Sequence, residues 1–116
     1  MKSRAFLLEP CEFIVDDAAR FGAVTRIFKH FTDHDLPVRP KFADQVLDRL
    51  GELNYNPDVD YIIVTGQLQS MVAMIAALVG EYGAVKTLVF DKTINGYAIN
   101  VMGGLRRERR RSTGVR

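Results

Sequence analysis

The chain has 116 residues, of which 47% are hydrophobic and 26% are charged, with a single cysteine. This length and composition are typical of one globular domain and exclude both an intrinsically disordered chain and a small disulfide scaffold. The net charge of +2 is unevenly distributed. Residues 103–116 hold six arginines and one glutamate and carry +5, and the rest of the chain carries −3. We therefore predict one domain over residues 1–102, followed by a basic, flexible tail over residues 103–116.

Three features of the sequence predict a cytoplasmic protein. Cys11 has no second cysteine to pair with, and the first twenty residues lack the basic-then-apolar order of a secretory signal. The longest apolar run, residues 71–79, is about half as long as a bilayer-spanning helix. We expect no membrane partner.

The first elements are short. Residues 5–8 and 13–15 are apolar runs separated by Pro10, which forbids one continuous central strand. They predict two short strands or one broken edge strand.

Residues 17–31 are predicted as a helix, with Asp16 and Asp17 as an N-cap and apolar residues at helical spacing from Val24 onward. The competing interpretation is a short helix to Phe21, a break at Gly22 and a strand over residues 24–28, because β-branched residues also suit a pleat.

A second helix is predicted over residues 42–53, after an irregular stretch that contains Pro37 and Pro40. It carries one apolar stripe: Phe42, Val46, Leu47, Leu50 and Leu53. The cluster of turn-forming residues at 54–58 ends it.

Residues 61–64 predict a strand buried on both faces, and residues 69–82 predict a helix that is apolar all round. The sheet can cover one side of this helix, so another helix or a second subunit must cover the other. Residues 85–90 are the next strand, and this strand-helix-strand unit predicts a right-handed parallel crossover.

Asn95-Gly96 predicts a hairpin with a two-residue type I′ turn. In that register Ile94 pairs with Tyr97, Lys92 with Ile99, and Phe90 with Val101. One face of the hairpin is then apolar and expected to be buried, and it carries Leu88, Phe90, Ile94, Tyr97, Ile99 and Val101. The other face, with Asp91, Thr93 and Asn100 beside Val89 and Met102, is more polar and is expected to face solvent.

The predicted fold class is α/β, a small single domain whose mixed sheet combines a parallel strand-helix-strand unit with a C-terminal β-hairpin, with two to three helices. Several short stretches, at residues 19–22, 61–66, 82–86, 88–91 and 96–97, together resemble small uncharacterised proteins encoded by tailed bacteriophages. The resemblance implies a genomic context and no activity.

The corner where strand 61–64 meets the next helix is the candidate ligand site, because open α/β sheets bind ligands at the carboxyl ends of their strands. Its residues are Thr65, Gly66, Gln67 and Ser70, with Asp91 at the same end of the next strand. No phosphate-loop or dinucleotide motif is present, and Ser70 lacks the flanking glycines of a nucleophile elbow. No catalytic residue and no cofactor are predicted.

Two other groupings of polar residues are candidate sites. His30 and His34, with Asp33 or Asp35, have the spacing of a zinc site, but no further Cys or His completes it, so no metal is predicted. Asp60 begins one parallel strand, whereas Asp91 ends the next. The two carboxylates are therefore expected about 15–20 Å apart, which excludes them as a pair.

The tail contains an arginine cluster broken only by Glu108, namely Arg106, Arg107, Arg109, Arg110 and Arg111. Arginine forms bidentate contacts with phosphate, and the absence of interleaved aromatic residues predicts sequence-independent, salt-dependent binding of nucleic acid. The alternatives are a solubilising terminus and an arm that docks on the acidic body of a neighbouring subunit.

These observations favour a non-enzymatic, phage-encoded accessory protein. It would form a homo-oligomer through the helix at residues 71–82 or through a sheet edge, and its tail would contact nucleic acid or an acidic protein surface. The alternative is a small ligand-binding or enzymatic domain that uses the Thr65-Gly66 corner for a phosphorylated small molecule.

Overall fold

The computed structural model describes residues 2–8, 16–29, 39–65 and 67–104. In chain order its elements are β1 (Arg4–Leu7), the 3-10 helix η1 (Asp16–Arg20), β2 (Ala23–Arg26), α1 (Lys41–Glu52), β3 (Tyr61–Val64), α2 (Leu68–Tyr82), β4 (Ala84–Asp91) and β5 (Gly96–Gly103).

The five strands form one mixed sheet in the order β2-β1-β3-β4-β5. The first four strands in this order are parallel, and β5 runs antiparallel to β4. This arrangement confirms the predicted fold class, a small α/β domain with a parallel unit and a C-terminal hairpin. The central position of β3 between β1 and β4 explains its continuous apolar sequence, because Ile62 and Ile63 are both fully buried on opposite faces.

One face of the sheet, which we call the helix-covered face, lies beneath α1 and α2. Its fully buried side chains come from both the sheet and the helices, and they include Phe6, Ile62, Val85, Val46 and Leu78. The apolar stripe of α1 follows the prediction, with Phe42, Val46 and Leu50 buried. The helix ends where Asn54 takes a left-handed φ of 60° and Tyr55 N–H bonds to the carbonyl of Leu50 at 2.9 Å.

The opposite face, which we call the open face, carries a second cluster that contains Ala5, Leu7, Ile63, Leu88 and Tyr97. Among the described residues, η1 is the element that packs on it, through Ala18, which is fully buried. Phe21 extends this contact with its ring 5.7 Å from that of Tyr61.

The predicted helix over residues 17–31 is wrong, and the competing interpretation is the correct one. The chain makes one 3-10 helix, breaks at Gly22 and continues as β2. Two facts explain the break. A side chain at residue 22 would place its Cβ 2.5 Å from the carbonyl oxygen of Ser3, and β2 gains its stability by pairing with β1.

The predicted register of the hairpin is also wrong. Phe90 pairs with Tyr97 and Asp91 with Gly96, so residues 92–95 form a four-residue loop instead of a two-residue turn. The carboxylate of Asp91 stabilises this longer loop by accepting bonds from the N–H and the hydroxyl of Thr93, at 2.9 and 2.6 Å. Asn95 has the positive φ of 52° that its residue type suggested.

The burial predicted for the hairpin is confirmed only in part, because Leu88 and Tyr97 are buried as predicted and other residues of the same face are not. The register shift is four residues, an even number, so the predicted apolar side chains of the two strands still share one face, whereas Ile94 lies in the loop. That face is the open face, however, and Phe90, Ile99 and Val101 on it are 45%, 49% and 51% exposed. On the opposite face, Asn100 is exposed as predicted.

Helix α2 follows the predicted boundaries closely and buries Ser70, Met71, Met74 and Leu78. Its outward side is apolar, as the sequence indicated, and Leu68 and Val72 there are 77% and 59% exposed. The predicted strand at 13–15, Gly66, the histidines and the arginine tail lie outside the described residues, so these predictions stay predictions.

Candidate functional site

The predicted site lies at the carboxyl edge of the sheet, where β1 to β4 all end. Val64 of β3 is the register partner of Val89 of β4, so Thr65, which follows β3, and Asp91, which ends β4, lie at the same edge. The start of β5 at Gly96 is at this edge as well, because Gly96 pairs with Asp91. The structure thus brings the two halves of the predicted site to one edge of the fold.

The side chains at this corner differ in their exposure. Gln67 is exposed in an extended conformation just before α2, and its side chain makes no capping bond to the helix. Thr65 is half-buried, whereas Ser70 is only 1% exposed and faces the protein interior. Ser70 therefore contributes to packing of the first helical turn and does not present its hydroxyl to a ligand in solution.

Asp91 is at the predicted edge, but its carboxylate is already used. The Thr93 hydroxyl and then the Thr93 N–H lower the pKa of Asp91, because both hydrogen bonds favour the charged form. This carboxylate holds the hairpin loop. Binding of a phosphorylated molecule at Thr65, Gly66, Gln67, Ser70 and Asp91 stays a prediction.

Asp60 lies at the opposite, amino edge, which confirms that it cannot act together with Asp91. It is 2% exposed and accepts bonds from the backbone N–H groups of Arg4 and Asn56, at 3.0 and 2.8 Å. Its third partner is the Arg4 guanidinium, 3.2 Å away, which also donates to the carbonyls of Leu53 and Asn54. This network ties β1 to β3 and to the end of α1, and its buried charge is compensated by the bonds.

A polar cluster that the sequence did not indicate lies where η1 meets β5. The Asp17 carboxylate accepts a bond from Tyr97 N–H at 2.7 Å, and the Arg20 guanidinium donates to the Tyr97 carbonyl at 2.8 Å. Asp17 and Arg20 also pair with each other at 3.1 Å. The backbone bond from Tyr97, followed by the bond from Arg20, lowers the pKa of Asp17.

The spacing of Asp17 and Arg20, three residues apart, was the available signal for their mutual pairing. Nothing local identified Tyr97 as their common partner, because it lies 80 residues from Asp17. The pair acts as a clamp on the backbone of one residue of β5, and we call it the η1 clamp.

A shallow groove of about 330 Å³ lies between α1 and the residues that follow β2. Its lining residues are Phe28, Lys29, Gln45, Asp48, Arg49 and Glu52. The charges are balanced, and Arg49 is occupied by the carbonyl of Ile27 at 2.8 Å. The groove therefore does not select a ligand of one charge.

Tyr55 has a buried hydroxyl that finds no hydrogen-bond partner within the described ranges. Its ring packs edge-on against Phe6 and Tyr82, with centroids 5.8 and 5.1 Å away. Burial, and then the nearby Tyr82 and Asp60, raise the pKa of Tyr55. Burial in this apolar cluster thus favours the neutral phenol.

Comparison of the chain with known protein families, with curated proteins and with solved structures finds no match. No group of three potential metal ligands occurs in the part of the chain that the structure describes. No helix within the described ranges is long and apolar enough to span a bilayer.

Proposed function

We propose that this protein is a non-enzymatic accessory protein that self-associates and contacts nucleic acid through its arginine tail. The observation that carries the proposal is the separation of charge, +5 in residues 103–116 against −3 in the rest of the chain. An acidic domain repels a phosphate backbone, so the binding free energy has to come from the tail.

The point at which the tail leaves the domain supports this assignment. Gly103 and Gly104 have φ angles of 82° and 81°, which side chains other than glycine rarely adopt. A Cβ at residue 103 would lie 2.5 Å from the carbonyl oxygen of Gly83. The backbone at the end of β5 therefore requires glycine at residues 103 and 104, two positions that precede the first arginine of the tail in the sequence.

The chemistry of the tail favours phosphate over an acidic protein surface. Five arginines within six residues offer planar, bidentate donors that match phosphate oxygens. The tail contains no aromatic side chain to stack on bases, so the contact should be independent of sequence. A slope of about −4 to −5 in log K against log salt is expected if each clustered arginine neutralises one phosphate of duplex DNA.

The test compares two variants of the full chain, one that removes and one that retains the positive charge at residues 106, 107, 109, 110 and 111. Replacing these arginines by glutamine should abolish binding to a short labelled DNA duplex, measured by fluorescence anisotropy. Replacing them by lysine should keep the affinity within about tenfold, since the charge is retained.

Unchanged affinity in the glutamine variant would overturn the proposed role of the tail. Binding of the wild-type chain to polyglutamate but not to the duplex would assign the tail to an acidic protein surface instead. The accompanying proposal, that the protein is encoded by a bacteriophage and acts in the host cytoplasm, is supported by the sequence resemblance and is tested by the identity of the flanking genes.

A further inference from the structure

The outermost strand, β5, has an edge that its sequence does not protect. Its eight residues, Gly96–Gly103, contain no charge and no proline, the two features that commonly block pairing at an edge. The other edge strand, β2, has only four residues and ends at the exposed Arg26. The two edges of the sheet therefore differ in their readiness to pair.

The η1 clamp shows which backbone groups of β5 face outward. In an antiparallel strand the N–H and the C=O of one residue point to the same side, and the side alternates along the strand. Both groups of Tyr97 bond to η1, on the side away from β4, whereas the carbonyl of Asn100 points toward β4 and accepts a bond from the Thr87 side-chain hydroxyl at 2.6 Å. Ile99 and Val101 therefore direct their N–H and C=O groups to the free edge, as Tyr97 does.

The side chains next to this free backbone are apolar. Ile99 and Val101 are both about half exposed on the open face, beside the equally exposed Phe90 of β4. No described hydrogen bond from outside the sheet reaches the backbone of Ile99 or Val101. In the described part of the chain, backbone groups without a partner and exposed β-branched side chains thus coincide over one short stretch.

We propose that the occupant of this edge is β5 of a second copy of the chain, running antiparallel about a two-fold axis at Asn100. In this register Ile99 of one copy faces Val101 of the other, and each such pair exchanges both backbone hydrogen bonds. The β-branched side chains of both copies then lie side by side on the open face, where cross-strand pairs of this kind stabilise a sheet. The result is a continuous ten-stranded sheet.

The ends of the free stretch point to an identical partner. On one side the η1 clamp occupies the edge groups of Tyr97, and on the other side Gly103 turns the chain away with its positive φ. Both limits lie three residues from Asn100. In the two-fold register the turn at Gly103 of each copy therefore meets the clamped Tyr97 of the other, so neither limit obstructs the pairing. The absence of charge on β5 also removes repulsion between identical strands.

This pairing also deepens the proposed function, on which the following consequence rests. The two tails would leave the joined edge at opposite ends, about 20 Å apart for strands of this length. Two arms on one rigid sheet contact one nucleic acid simultaneously and raise the apparent affinity by avidity.

The experiment measures the mass of the full chain in solution by sedimentation velocity over a concentration series from about 1 µM to 1 mM. The paired stretch is short, so a dimer with a dissociation constant in or above the micromolar range is expected. A chain that stays monomeric throughout the series overturns the proposal.

Two substitutions locate the interface. Val101→Pro removes an outward N–H without removing a bond to β4, so the monomer should keep its fold while the dimer dissociates. Ile99→Lys places a charge at the edge and should raise the dissociation constant of the dimer on the order of tenfold or more. This variant tests the interface even if the proline variant does not fold. The matched control is Val72→Lys, on the exposed side of α2, which should leave the dimer intact.

A dimer that survives Ile99→Lys but dissociates in Val72→Lys overturns the proposal and assigns the interface to α2. Hydrogen exchange supplies a second readout, since the Ile99 and Val101 amides should become protected as concentration rises. Their exchange at a constant, fast rate in a confirmed dimer would also overturn strand pairing. Deleting residues 105–116 should abolish nucleic-acid binding and leave the dissociation constant of the dimer unchanged, so the failure of either proposal is distinguishable from the failure of the other.

Discussion

The helix-covered face and the open face of the sheet contain similar apolar side chains but differ in what lies over them. On the first, Phe6, Ile62 and Val85 are fully buried beneath α1 and α2. On the second, Ile63 and Leu88 are just as buried, yet Ile99 and Val101 on β5 are about half exposed. Hydrophobicity alone therefore does not decide burial in this protein. The position of the covering elements decides it, and η1 is too short to cover β5 beyond Tyr97.

The largest difference in the free energy of unfolding is expected between variants at a buried and at an exposed position of α2. Leu78→Ala should lower the free energy of unfolding by about 2–5 kcal/mol, because the side chain is fully buried and its removal leaves a cavity. Leu68→Ala, the matched change at a position 77% exposed, should cost less than about 0.5 kcal/mol. Urea unfolding monitored by circular dichroism measures both, and equal losses would contradict the described packing of α2.

A smaller effect is expected where the chain crosses from η1 to β2 on the open face. Gly22→Ala should destabilise the fold by about 1–3 kcal/mol, because the new Cβ meets the backbone of Ser3 and Arg4. The control is Gly80→Ala in α2, where a Cβ meets nothing within 4 Å and helix propensity should add up to about 1 kcal/mol of stability. Opposite signs in the two unfolding free energies are the expected result.

Removing the η1 clamp should change amide hydrogen exchange at Tyr97 and leave it unchanged in α2. Asp17→Ala removes the acceptor for Tyr97 N–H, so the amide of Tyr97 should exchange with solvent faster in an NMR experiment, while amides of α2 keep their rates. Asp48→Ala, an exposed acidic residue on α1, should not alter the exchange of Tyr97. A Tyr97 rate that is the same in all three proteins would show that the clamp does not hold the edge.

The smallest expected effect is a change with pH. Asp17 and Asp91 have lowered pKa values in the folded chain, so their contributions to stability are complete above the ordinary value near 3.8 and are lost as pH falls through the lower folded values. The amide proton shift of Tyr97 should follow this titration with a midpoint below 3.8. The variant Asp17→Asn should remove that titration. A midpoint at or above 3.8 in the wild-type chain would contradict a lowered pKa of Asp17.

Local pattern was sufficient to predict much of the fold. The apolar stripe at Phe42, Val46 and Leu50 identified α1, and the uninterrupted β-branched run identified β3 as a central strand. The length of the helix between β3 and β4 predicts that these strands are parallel, as they are. Because they are parallel, Thr65 and Asp91 lie at the same edge of the sheet. These features depend on residues close in sequence, whose spacing reports secondary structure directly.

The choice between helix and strand after Asp17 was open in the sequence, because Val24, Thr25 and Ile27 suit both periods. Pairing with β1 decided it, and that contact is long-range. The loop of the hairpin differs in this respect, because the bonds from Thr93 to Asp91 are local and stabilise a four-residue loop against the two-residue turn that Asn95-Gly96 favours.

Apolar periodicity and charge are local properties of the chain, and they predict α1, α2, the parallel pair of β3 and β4 and the concentration of arginine in residues 103–116. The tertiary contacts determine the cover over the hairpin, the partners of the carboxylates and the clamp on Tyr97, whereas no described residue outside the sheet bonds to the backbone of Ile99 or Val101. Those outcomes depend on contacts between residues far apart in the chain, such as Asp17 and Tyr97, and no local pattern encodes which distant partner a side chain meets.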